Sequence, residues 1–287
     1  MFACAYGVVR AAHIALFVIA SRDDAALRRS VMGLAVGTAV GVGLLVVASF
    51  TDGRLQLGLW ALALTLDMGE PYLFGSEGWK LVPGHFAERH GLIIIIALGE
   101  SIVAIGVGAG AGLNAGVVAA AVLGAAIAAG LWWLYFDVVA LVGARRLENA
   151  AEGRERNEVA RDSFSYLHFP MVAGIVLLAL GLKKTLAHVG DPLEPIPAVA
   201  MLGGPALYLL AHVAFRWRNV HRFSWQRLAC AIVLLALIPA AEGLPALATL
   251  GIVSALLALL IAYERVHFAE LRGRLRNQLA RDAASGG

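Results

Sequence analysis

Long apolar runs fill the chain, and short polar stretches separate them. The runs lie near residues 2–20, 31–50, 56–75, 91–110, 113–142, 166–182, 198–215, 228–241 and 246–263. A helix needs about 20 residues to cross the hydrocarbon core of a bilayer, and most of the runs are that long. The pattern therefore predicts an all-α fold, a polytopic transmembrane helical bundle with about nine spans.

The eighth run is the least regular of these segments. It is short and contains Pro239, which interrupts helical hydrogen bonding, so we expect it to be tilted, kinked or partly re-entrant. The fifth run is long and ends in Trp132, Trp133 and Tyr135, which are typical of an interfacial aromatic belt.

Composition supports the membrane assignment. Of the 287 residues, 60% are hydrophobic and only 15% are charged, whereas soluble domains carry about 25% charged residues. The two cysteines, Cys4 and Cys230, lie in separate apolar runs, so neither a disulfide framework nor a metal site is indicated. The net charge is only +3 and the basic residues lie in loops, which argues against nucleic acid as a partner.

The basic residues also predict the orientation of the spans. With nine spans, 19 Lys and Arg residues fall on one side and 3 on the other, with Arg10 inside the first run. Cytoplasmic loops are enriched in Lys and Arg. We therefore expect a multi-pass protein of the cytoplasmic membrane with its N-terminus outside and its C-terminus in the cytoplasm.

Two charged stretches lie on the predicted cytoplasmic side. Residues 144–163 are interpreted as a solvated loop, with a surface helix as the alternative. Residues 1–263 are predicted to form the transmembrane domain. Residues 264–287 are predicted to form a basic, partly disordered tail at the anionic leaflet.

The polar residues inside the runs are the candidates for function, because an ionisable group at bilayer depth costs about 2.5–3.5 kcal/mol. In the predicted orientation the fourth run begins in the cytoplasm, so Glu88 and Arg89 mark its mouth and Glu100 lies near the midplane. Most of the other groups lie between the midplane and the cytoplasmic face. They are Asp67, Glu70, Asp137 and His168.

This distribution predicts a polar cavity that opens to the cytoplasm and has Glu100 at its bottom. Arg89 and Glu100 share a helix face but are about 16 Å apart along it. Arg89 is therefore expected to meet a carboxylate on another helix, and the options are Asp67, Glu70 and Asp137. A structural interpretation stays open for Glu100, as a protonated group bonded across helices, and for Asp137, as a salt bridge. For His13 and His212, packing or interfacial placement is the favoured interpretation.

Motifs of known enzymes are missing from the sequence. The stretch HFAERH resembles the H-x-x-E-H zinc motif, but Arg89 occupies the position of the second histidine, and no phosphate loop or nucleophile elbow is present. We therefore expect neither a metal nor a cofactor, and an enzyme is the less favoured interpretation.

Four ordered motifs resemble the bacterial low temperature requirement A (LtrA) family. They are AYGVVRAAHIALF (5–17), HFAERHGLIIIIALGESIVAIG (85–106), LWWLYFD (131–137) and YLHFPMVAGIVLLALGL (166–182). The resemblance implies an integral bacterial membrane protein and picks out Glu88, Arg89, Gly99, Glu100, Asp137 and His168. It implies no substrate or reaction. Family members usually begin with further spans that include an acidic-aromatic stretch, so the chain is expected to lack N-terminal spans.

Three functions are consistent with the residues and the resemblance. The first is transport of a proton, an ion or a small solute, with Glu100 as the titrating or coordinating group. The second is a membrane-embedded enzyme that acts on a lipid or a redox substrate. The third is a non-catalytic sensor or scaffold in cold adaptation. The lipid bilayer is the expected partner, and a homo-oligomer is an open alternative.

Overall fold

The computed structural model describes residues 1–74, 78–110, 112, 114–269 and 273. Over the described residues, each predicted run is mostly helical and no strand forms, which confirms the all-α fold. The helices are α1 (Phe2–Ala20), α2 (Ala25–Ala48), α3 (Gly53–Phe74), α4 (Pro83–Gly108), α5 (Ala115–Leu134), α6 (Ala140–Glu148), α7 (Arg154–Val159), α8 (His168–Ala187), α9 (Pro195–Val220), α10 (Trp225–Ala236), α11 (Ile238–Ala241) and α12 (Ala246–His267).

Within the described residues, seven helical stretches have both the length and the apolar composition that a membrane crossing needs. They are Phe2–Ala20, Ala25–Ala48, Pro83–Gly108, Ala115–Glu148, Arg154–Ala187, Pro195–Val220 and Ala246–His267. The helix α3 is long enough but contains more polar residues, Asp67 among them. The eighth run breaks near Pro239 into α10, of 12 residues, and α11, of 4. The count by these criteria is therefore seven instead of about nine.

Two π-helical turns interrupt the long helical stretches. One covers Tyr135–Val139, between α5 and α6, and the other covers Ala160–Tyr166, between α7 and α8. The charged stretch at 144–163 is consequently mostly helical, with a break before Gly153, whose φ of +88° suits glycine. A π turn carries an extra residue and often lies at a functional site.

The chain divides into two compact units. The first comprises Met1–Val82 and Asn149–Arg161, and α2 packs there against both α1 and α3. The side chain of Asp24 caps α2 by accepting hydrogen bonds from the backbone N–H groups of Leu27 and Ala26, at 3.0 and 3.1 Å. These bonds, led by the one from Leu27, hold the pKa of the Asp24 carboxyl below its ordinary value.

The second unit comprises Pro83–Glu148 and the described residues from Asp162 onward, and its core is built on α8 and α9. Glycines bring these two helices close together. A Cβ atom added to Gly174 would lie 2.5 Å from the Gly204 carbonyl oxygen, and one added to Gly181 would lie 2.8 Å from the Met201 Cα. Close backbone approach through small residues is the usual packing of membrane helices.

Candidate functional site: a buried polar cluster beside a cavity

A buried ion pair joins α10 to α12 in the second unit. The Arg227 guanidinium donates from Nε and Nη2 to the two carboxylate oxygens of Glu264, each at 2.8 Å. The two side chains are only 8% and 12% exposed. Gln226 donates a further hydrogen bond to Glu264 at 3.1 Å. The pair is bidentate, the geometry in which arginine holds a carboxylate most strongly.

His212, on α9, extends this cluster into the core. Its Nδ1 lies 2.8 Å from Nη1 of Arg227, which also donates to the Leu134 carbonyl oxygen at 3.3 Å. Because a guanidinium only donates, Nδ1 accepts and Nε2 carries the hydrogen. Nε2 is buried and has no hydrogen-bond partner among the described residues. The cluster therefore presents one unsatisfied donor.

A second histidine, His168, contacts Tyr135. The Tyr135 hydroxyl lies 2.7 Å from Nε2 of His168, and Nδ1 of His168 lies 2.9 Å from the Ser163 carbonyl oxygen. Because a carbonyl only accepts, Nδ1 carries the hydrogen and Nε2 accepts from the phenol. The rings of Phe164, Phe215 and His90 surround His168 with centroids 5.2–5.7 Å away.

Each of the two π turns contains one of these groups. Tyr135 is the first residue of one turn, and Ser163 lies within the other, where its carbonyl oxygen bonds the His168 ring five residues ahead. A π turn rotates the residues that follow it relative to a regular α-helix. The Tyr135–His168 bond thus depends on local geometry that hydropathy does not reveal.

Replacing Tyr135 with phenylalanine is expected to lower the free energy of unfolding by about 1–3 kcal/mol, because His168 Nε2 would remain buried without a donor. The free energy can be measured by unfolding in mixed detergent micelles. Tyr263→Phe is the matched control, since Tyr263 is 50% exposed. Equal stability of the two variants would show that the Tyr135–His168 bond contributes nothing.

A cavity of about 230 Å³ lies beside the Arg227–Glu264 pair. Its polar lining is formed by Asp137, His212, Arg216, Ser224, Gln226, Arg227 and Glu264. Valine and phenylalanine side chains supply the apolar wall. Ligand sites have this character, a mostly apolar wall with a few well-placed polar groups.

The first unit has a polar cluster of its own. Arg10 Nη2 donates to Asp67 Oδ1 at 3.0 Å and to Thr38 Oγ1 at 2.9 Å, and the Tyr6 hydroxyl lies 3.4 Å from Asp67 Oδ2. Asp67 thus has Arg10 as its cationic partner, an assignment the sequence did not make. Asp67 and Tyr6 also line a cavity of about 390 Å³ with Trp60.

The remaining predicted site residues are spread more widely. Glu100 and Arg89 are exposed on α4, and neither makes a hydrogen bond or an ion pair with another described residue. Glu88 is exposed too, and its carboxylate lies 3.7 Å from Nδ1 of His85. The side chain of Glu70 lies outside the described residues. The role predicted for Glu100 stays a prediction.

Of the predicted site residues in the second unit, His168 lies in the buried cluster and Asp137 lines the cavity. Sequence reasoning missed Arg227, Glu264 and Tyr135, and it interpreted His212 as a packing residue. Arg227 precedes the predicted eighth run by one residue and Glu264 follows the ninth by one, so both were assigned to the polar stretches outside the runs. Opposite charges at the ends of two neighbouring runs are the signal that could have paired them.

Metal binding has no support in the described ranges, since no group of three or more His, Cys, Asp or Glu side chains there is arranged to hold an ion. The cluster is instead built from hydrogen bonds and one ion pair. Its polar groups lie within a bundle whose other buried residues are mostly apolar.

Comparison with known proteins places the chain among bacterial membrane proteins. An uncharacterized protein of Rhizobium meliloti (strain 1021) is 28% identical over 222 residues, which cover 73% of this chain and 53% of that protein. The chain thus spans about half the length of this relative. No solved structure matches the present chain. The family described as bacterial low temperature requirement A protein (LtrA) matches residues 1–262, so the chain belongs to the LtrA family.

Proposed function

We propose that this chain transports an ion or a small solute across the bacterial cytoplasmic membrane, and that the cavity beside Arg227 and Glu264 is the solute site. The observation that carries the proposal is the buried pair itself. Two charges and a histidine are held inside a bundle whose other buried residues are mostly apolar. Buried charges are costly within an apolar bundle, and they typically mark the paths of ions and substrates.

The position of the cavity along its helices supports access from one side. Arg227 is the third residue of α10, and Glu264 is the fourth residue from the C-terminal end of α12. Arg216 is likewise near the C-terminal end of α9. With the C-terminus in the cytoplasm, as the positive-inside pattern predicts, the cavity opens to the cytoplasm.

His212 is then the deeper of the two polar residues that α9 contributes to the cavity. It lies eight residues before Val220, the last residue of α9, which corresponds to about 12 Å along the helix. A solute that enters from the helix ends passes Arg216 and the Arg227–Glu264 pair before it meets His212. Alternating access would require the pair to open and close, because it joins α10 to α12.

Uptake into proteoliposomes tests the proposal. The full chain would be reconstituted and assayed with three probes of different charge, which are rubidium ion, alanine and benzoate, while a trapped pH dye follows protons. We expect at least one probe, or protons, to cross faster than in liposomes without protein. We also expect Glu264→Gln to slow that flux at least tenfold, because the neutral amide weakens the hold on Arg227.

The exposed Glu100 carboxylate on α4 is tested in the same assay. If Glu100 is the titrating group of transport, Glu100→Gln abolishes flux, whereas unchanged flux removes that role. Glu158→Gln is the control, since Glu158 forms a surface pair with Arg154. Flux equal to that of empty liposomes for every probe and for protons would contradict the transport proposal itself.

A further inference from the structure

The connection between α9 and α10, residues 217–225, carries a row of exposed aromatic rings and is called the α9–α10 turn below. Trp217, Phe223 and Trp225 are 50%, 40% and 69% exposed. The ring centroids of Trp217 and Phe223 are 4.9 Å apart, and those of Phe223 and Trp225 are 5.3 Å apart. The three rings therefore form one continuous exposed surface.

The end of the second unit that contains this turn has further exposed aromatic residues. Arg227 on α10 bonds both the Leu134 carbonyl oxygen at the end of α5 and the Glu264 carboxylate near the end of α12, so these helix ends lie together. Trp132 on α5 and Tyr263 on α12 are exposed there. Trp and Tyr are enriched where the hydrocarbon core meets the lipid headgroups. The exposed rings thus have the position of an aromatic belt at a membrane interface.

The turn is also basic. Residues 216–227 contain four arginines and no aspartate or glutamate. Three of these arginines donate to side chains of the second unit, and they are Arg216, Arg218 and Arg227. Arg222 is exposed and makes no hydrogen bond or ion pair with another described residue. Its guanidinium is therefore available to an anion outside the chain.

An available arginine beside exposed rings fits an amphiphile with a negative charge. Free phosphate would pair with the Arg222 guanidinium but would leave the rings uncovered. A lipid without net charge would cover the rings but would leave the positive charge of the turn unbalanced. In the predicted orientation the turn faces the cytoplasmic leaflet, where anionic lipids attract basic segments.

We infer that the α9–α10 turn binds an anionic phospholipid. The Arg222 guanidinium donates to the phosphate, and the rings of Trp217, Phe223 and Trp225 lie against the glycerol and the upper part of the acyl chains. An arginine–phosphate contact is charge-assisted and can be bidentate. These four side chains do not line the cavity beside Arg227, so the lipid site goes beyond the proposed transport and does not depend on it.

Photolabelling of the full chain in liposomes tests this inference. The probe is phosphatidylglycerol with a diazirine on its headgroup, and mass spectrometry identifies the labelled peptides. We expect label within residues 217–225. Phosphatidylcholine with the same acyl chains and a headgroup diazirine is expected to label them about fivefold less, because one arginine near an anionic surface contributes about that factor to binding. Equal labelling by the two lipids, or no label in residues 217–225, would overturn the inference.

An arginine variant tests the contact with the headgroup. Arg222→Gln is expected to lower labelling of the turn by phosphatidylglycerol about fivefold, to the level seen with phosphatidylcholine. Arg54→Gln is the control, because Arg54 is likewise exposed and makes no hydrogen bond or ion pair with another described residue, but lies in the first unit. An equal loss of label in the two variants would contradict the role of Arg222.

A ring variant and a soluble competitor complete the test. Trp225→Ala is expected to lower labelling by both lipids, since the rings contact parts that the lipids share, whereas Trp60→Ala, at an exposed tryptophan of α3, should leave the turn labelled as before. Wild-type labelling of Trp225→Ala would remove the rings from the site. Glycerol 3-phosphate in the buffer is expected to leave labelling unchanged. Loss of label in its presence would assign the site to a soluble phosphate and overturn the assignment to a lipid.

Discussion

Replacing Arg227 with alanine is expected to lower the free energy of unfolding by about 3–5 kcal/mol, because it leaves the Glu264 carboxylate buried without its cation. The variant also removes the donor to His212 Nδ1 and to the Leu134 carbonyl oxygen. Unfolding in mixed detergent micelles, followed by tryptophan fluorescence, measures the change. The Arg227 side chain is bonded to groups on three other helices, α5, α9 and α12.

Two control variants test whether the loss of stability comes from the buried Glu264 charge that is left without its partner. The exposed pair Arg154–Glu158 has an N–O distance of 2.9 Å, yet Arg154→Ala is expected to cost only about 0.3–0.5 kcal/mol, because water solvates the partner that is left. The double variant Arg227→Met with Glu264→Leu is expected to recover most of the stability, since it leaves no buried charge. A loss for Arg227→Ala as small as that for Arg154→Ala would show that water already solvates the pair.

Adding a side chain to Gly174 is the second change with a large expected effect. The closest atoms to its added Cβ are backbone atoms, the Gly204 carbonyl oxygen at 2.5 Å and the Tyr208 nitrogen at 2.9 Å. Backbone atoms of a helix cannot rotate away as a side chain does, so α8 and α9 must separate. We expect Gly174→Ala to lower the free energy of unfolding by about 1–3 kcal/mol, and Gly174→Val by more.

Gly106→Ala is the control for this substitution. Gly106 also lies within a membrane-length helix, but no described atom outside the neighbouring backbone of its own helix lies within 4 Å of the position of its added Cβ. Alanine is expected to stabilise the chain there by up to about 1 kcal/mol, because it has the better helix propensity. The free energy of unfolding in mixed detergent micelles is measured for both variants. If Gly174→Ala is no less stable than Gly106→Ala, the close contact of α8 and α9 is not tight in the folded protein.

Hydropathy predicted the helices well and their interruptions poorly. The first run, at 2–20, coincides with α1, and the ninth, at 246–263, lies within α12. The π turn at Tyr135–Val139 was not predicted, because one extra residue in a turn changes neither the composition nor the apolar character of the run. The break near Pro239 was anticipated, since proline has a fixed local effect.

Individual candidates for the site could be predicted, but their partners could not. Asp137 and His168 stood out because polar residues inside apolar runs are few. Asp67 stood out for the same reason, yet its partner Arg10 is 57 positions away, and only the packing of α1 and α3 against α2 brings the two together. Arg227 and Glu264 were overlooked because a shift of one residue in a predicted boundary separates a buried charge from a loop charge.

The extra residue in each π turn also has an evolutionary meaning. Removing one residue from Tyr135–Val139 would let α5 continue directly into α6, but it would rotate one helix relative to the other by about 100°. Both helices could then still form, while Val142 on α6 would be turned away from the cavity that it lines. In an alignment of LtrA proteins, a single-residue gap at Tyr135–Val139 or Ala160–Tyr166 would therefore mark a member that lacks this site, whereas a gap between α9 and α10 would only change the length of a loop.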